Sequence, residues 1–98
     1  MTTNIGQDLL DAIRSKDAQQ AKTQVQQFSA NMRNPTVGAD YVIWITEPVN
    51  LTEVHKALAE DLDVPPRLLA IRRKLMSRAQ RAMILMLAIE KALGRLYP

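Results

Sequence analysis

The chain has 98 residues, 47% hydrophobic and 23% charged, which is the composition of one ordered globular domain and falls below the size at which chains divide into two. It contains no cysteine, which excludes disulfides, thiolate metal sites and cysteine nucleophiles. The net charge of +3 conceals a split: residues 1–63 carry five Lys/Arg against nine Asp/Glu, a net of −4, and residues 64–98 carry eight against Glu90 alone, a net of +7. Such a separation implies either a basic binding face or an acidic half lying against a basic half.

The start, MTTNIGQDLLDAIRSKD, lacks the basic and continuously apolar regions of a secretory signal, and the longest strongly apolar run, Ala82 to Ile89, is too short to span a bilayer. A cytoplasmic protein without a membrane span is expected. Asn4 with Gln7 reads as a helix start, followed by Ile5, Leu9, Leu10 and Ile13 at helical spacing. The pattern slips at Arg14–Asp17 and resumes as Ala18, Ala21, Val25, Phe28 and Met32, with Asp17 and Gln20 placed to cap a second helix. Residues 1–33 are therefore one helix with a polar patch or, preferably, a hairpin of two.

Asn31–Gly38 carries turn chemistry, with Pro35 restricting the residue before it and Gly38 permitting positive φ. Tyr41–Thr46 is β-branched and aromatic, hence strand-like by propensity, but a lone strand has no partner in a helical chain. Pairing with its own copy across a dimer is the alternative; a short buried helix or extended plug is preferred, ending at Pro48, so that residues 34–50 form a loop and a short apolar segment. Asn50 and Glu53 resemble a capping box, and Leu51, Val54, Leu58 and Leu62 form one stripe, predicting a helix over 51–63. Pro65 and Pro66 break it and can open the next helix. From there Leu68, Arg72, Leu75, Ala79, Ala82, Met86, Ile89, Leu93 and Leu96 keep steps of four and three, predicting one long helix over 66–97. The expected fold is all-α, a small bundle of four or five helices in a single domain, with this long C-terminal helix as its spine.

That helix holds the candidate functional residues. Arg67, Arg72, Arg73, Lys74, Arg78 and Arg81 form a basic cluster with no intervening acid, so pairing along the helix cannot neutralise it. Four of them, Arg67, Lys74, Arg78 and Arg81, share one face of a continuous helix, which points to an acidic protein partner or a nucleic acid. Ala82–Ile89 is apolar all round, more than one packed face accounts for, and Met83, Met86, Leu87, Ile89, Leu93 and Leu96 are the candidate interface of a homodimer. The leading expectation is a non-enzymatic regulatory or adaptor protein that binds another macromolecule through the basic and apolar faces of this helix.

A second expectation, DNA binding, rests on the helix-turn-helix outline of 51–75. There Leu62 and Val64 bracket a turn, Leu69 packs back, and Arg67, Arg72, Arg73 and Lys74 approach the duplex. Asp63 stands where such turns commonly hold glycine, and two prolines open the second helix. Catalysis has the weakest warrant. His55 stands alone mid-helix, the three glycines form no phosphate loop, and neither a metal nor a cofactor is implied. An arginine-lined anion site using Arg72, Arg78 or Arg81 is the form an enzyme would take here.

Overall fold

The computed structural model describes residues 4–70 and 76–98. Five α-helices and one 3₁₀ turn follow one another, with no strand among the described residues: α1 (Gln7–Arg14), α2 (Ala18–Met32), α3 (Gly38–Thr46), α4 (Pro48–Asp61), the 3₁₀ turn Pro66–Leu69, and α5 (Arg78–Leu96).

The first two helices form the expected hairpin. The Asn4 side chain accepts the Gly6 amide at 3.1 Å, and the Gln7 amide bonds to the Asn4 carbonyl, setting the entry to α1. After Arg14 the chain reverses through Lys16, whose φ is 62°, and Asp17 caps α2 by accepting the amides of Gln19 and Gln20. Glycine at position 6 is required by a close approach, since a Cβ there would stand 2.1 Å from Cη2 of Trp44.

The apolar run Tyr41–Thr46 is helical, within α3. At its entry the Asn34 side chain accepts the amides of Thr36 and Val37. Gly38 does not use positive φ. A Cβ there would lie 2.3 Å from the Met32 carbonyl oxygen, so glycine lets α3 pass close beneath the end of α2. The Asn50–Glu53 capping box does not start α4: its cap is Glu47, and Pro48 occupies the first turn, where a missing amide costs nothing. Asn50 instead lies inside the helix and donates to the Trp44 carbonyl at 3.0 Å, tying α4 to α3.

The predicted continuous helix over 66–97 is not formed. Pro66–Leu69 is a single 3₁₀ turn, Ala70 is extended with ψ 121°, and Ser77 is an extended N-cap to α5. A helix of that length would run about 48 Å, longer than the 35 Å long axis of the molecule. What starts α5 is local. The Ser77 hydroxyl accepts the Gln80 amide at 3.2 Å, and the Gln80 side chain accepts the Ser77 amide at 3.0 Å, a complete capping box. At 19 residues α5 is still the longest helix, and the all-α bundle with a long C-terminal helix stands.

One core joins every element. Leu9, Leu10 and Ile13 of α1, Val25 and Phe28 of α2, Ile45 of α3, and Val54 and Leu58 of α4 meet Ala82, Leu85, Met86, Ile89 and Leu93 of α5. Phe28 stands edge-on to Tyr41 at 5.1 Å and tilted to Trp44 at 5.9 Å, locking α2 to α3. The turn after α4 packs as the sequence implied, with Leu62, Val64 and Leu69 all buried. Asp63 adopts φ 53° and so performs the glycine's task in that turn. The Tyr97 hydroxyl donates to the Leu62 carbonyl at 2.8 Å and Lys22 donates to the Tyr97 carbonyl, fastening the end of α5 to α4 and α2.

Candidate functional site

The break before α5 divides the basic cluster. Arg67 is exposed on the 3₁₀ turn, Arg72, Arg73 and Lys74 lie outside the described residues, and Arg78 and Arg81 belong to α5. The single face expected for Arg67, Lys74, Arg78 and Arg81 needed an uninterrupted helix, so it does not exist in that form. For the same reason no recognition helix begins at Pro66, although the packing of the turn before it matches the helix-turn-helix outline.

Arg78 is engaged within the chain. Its guanidinium pairs with Glu47 at 3.2 Å and donates to the Thr46 hydroxyl. Glu47 thus offsets a cation placed at the positive end of the α5 dipole. Arg81 is exposed and has no ion pair among the described residues. Neither Arg78 nor Arg81 lines the clefts of the N-terminal half. One such cleft, between α1 and α2, is walled by Asp8, Asp11, Asp17 and glutamines, and the other by Ile5, Gln27, Phe28 and Tyr41 among others. The arginine-lined anion site is not assembled there.

The apolar segment divides as well. Met86, Ile89 and Leu93, placed by the sequence at an oligomer interface, are core residues covered by the chain itself, with exposures of 2%, 0% and 0%. Their 3.5-residue spacing belongs to packing against α2 and α3. Met83 and Leu87 do face outward, at 45% and 46%, and Leu96 is exposed at the helix end. Ile84, absent from the sequence-derived set, is 40% exposed beside them. At 100° per residue, Met83, Leu87 and Ile84 fall opposite the Ala82–Leu85–Ile89 face. Once the core stripe is fixed, their outward placement follows.

Around this apolar row stand cations that sequence reasoning did not single out. Lys91 and Arg95 lie on the Ile84 side of α5, exposed and without an ion pair among the described residues. Arg33, at the end of α2, lines a small cleft with Ser29, Met32, Met83, Met86 and Leu87. Arg33 comes to α5 only through tertiary packing, which no spacing in the sequence reveals. In the same cleft Ser29 is buried, with 7% exposure, and its hydroxyl has no hydrogen-bond partner.

His55, the single histidine, sits half-buried on α4 with Nε2 enclosed and unpartnered, and burial lowers its pKa below the usual histidine value. No group of three or more His, Cys, Asp or Glu side chains among the described residues is arranged to hold a metal ion, and no helix among them is long and apolar enough to cross a membrane. No family model, no curated protein and no solved structure matches the chain.

Proposed function

We propose that this chain is a non-catalytic interaction module, of the regulatory or adaptor kind, which binds another protein through the outward face of α5. The observation that carries the reading is the row Met83, Ile84 and Leu87, each 40–46% exposed in the middle of a helix whose other face is the core. Three neighbouring large apolar side chains kept in water cost hydration free energy that a partner would relieve. An apolar centre with a basic rim is the anatomy of a protein–protein interface. A nucleic-acid surface would have cations at its centre, whereas the centre of this row is apolar.

A photo-crosslinking amino acid at position 87, introduced in the cell of origin, tests this directly. The expected product is a protein adduct that survives nuclease. The partner identified from it should bind the purified chain and lose that binding when Leu87→Asp is introduced. An adduct to nucleic acid alone, or a partner indifferent to Leu87→Asp, would overturn the reading.

A further inference from the structure

Resting on that reading, we propose that the occupant of the α5 face is an acidic amphipathic helix, which lies along Met83, Ile84 and Leu87 beside the small cleft between the end of α2 and the middle of α5. Charge selects the partner. Arg33 stands at one lip of the cleft, and Arg81, Lys91 and Arg95 stand on the exposed side of α5 beyond Ile84; none of the four has an ion pair among the described residues. The one carboxylate of α5, part-buried Glu90, lies in the Met83–Leu87 row, so four cations stand against one acid at this face, a net of +3. A second copy of the chain is the less favourable occupant, since pairing two α5 helices sets cation against cation on both flanks.

Shape selects a helix. Met83, Leu87, Glu90 and Gly94 follow one another along one row of α5, with Glu90 part-buried, and the Gly94 backbone is open to close approach, with nothing within 4 Å of where a Cβ would stand. That row is about 16 Å long, three turns of a partner helix laid along it with apolar residues at i, i+3, i+4 and i+7. The small cleft beside it is lined by Met32, Met83 and Met86, three of the chain's five methionines, whose unbranched side chains adapt to a surface laid against them.

The test uses the full chain and three synthetic peptides. The first is a helix-forming peptide of Ala and Glu with leucines at i, i+3, i+4 and i+7. In the second, Lys replaces every Glu, and in the third the same leucines are spread around the helix. The acidic amphipathic peptide is expected to bind, about tenfold or more tighter than either control, and to weaken steeply with salt. The double variant Arg33→Glu/Lys91→Glu should invert the preference toward the Lys peptide. Leu87→Asp should abolish binding of both, with circular dichroism confirming that each variant folds.

If the Glu and Lys peptides bind alike and Leu87→Asp abolishes both, the acidic partner is overturned while α5 remains the docking face. If Leu87→Asp affects no peptide and no crosslinked partner, the docking face itself is overturned. A dimer of the free chain that Leu87→Asp converts to monomer would make a second copy the occupant, and would overturn the proposal too.

Discussion

Single residues in this chain are set by close approach more than by turn type. Gly6 is the sharpest case, because Cη2, Cζ2 and Cζ3 of Trp44 all lie within 2.4 Å of where its Cβ would stand. Gly6→Ala is expected to destabilise the fold by about 2 kcal/mol in urea unfolding, and by much less in a Trp44→Leu background, where the ring is gone. Asp63 makes the opposite case: it is a non-glycine residue held at φ 53°. Asp63→Gly is expected to raise stability by roughly 0.5–1 kcal/mol, read as a higher urea midpoint. His55 adds a pH dependence of known sign. Burial holds its folded pKa below the unfolded value of 6.5, so the unfolded state takes up the proton first. The stability is complete above pH 6.5 and falls as pH drops from there through the folded pKa. Urea midpoints measured downward from pH 7.5 should fall in the wild type and fall less in His55→Gln over that window. Equal slopes would remove His55 as the cause.

At the scale of elements, legibility followed the reach of the physics involved. The α1–α2 hairpin was readable because Asp17 interrupts the apolar period and supplies a cap in the same few residues. The α3 segment was ambiguous because β-branched and aromatic propensity favours a strand, and what decides it is tertiary: Phe28 packs against Tyr41 and Trp44, and no other strand exists among the described residues. The long helix was misread because the 3.5-residue stripe runs on upstream of Ser77 to Leu68, where the chain is a 3₁₀ turn. Ala79 within that stripe is exposed, and Ala70 is not helical at all. The true boundary was written in Ser77 and Gln80, three residues apart, and the stripe hid it. Ser77→Ala should therefore cost about 1 kcal/mol. A thermal midpoint within error of wild type would show that α5 is held at its start by core packing alone.

For the whole molecule, the separation of charge and the surplus of apolar surface have different fates. Among the described residues, Glu47 and Arg78 make the one ion pair between the acidic and basic halves, and that pair is half-exposed. The apolar surplus is partly absorbed, since Met86, Ile89 and Leu93 enter the core and Met83, Ile84 and Leu87 do not. Alanine substitution separates the two sets. Met86→Ala and Leu93→Ala each remove a side chain packed on all sides and should cost about 2–4 kcal/mol. Met83→Ala and Leu87→Ala, on the outward face, should stay within about 0.5 kcal/mol of wild type. Urea unfolding at two protein concentrations adds the decisive comparison. A monomer whose α5 face awaits a different protein gives the same midpoint at both, with the outward substitutions neutral at each. If that face were already covered by a second copy, the midpoint would rise with concentration by mass action, and Leu87→Ala would become costly at the higher one.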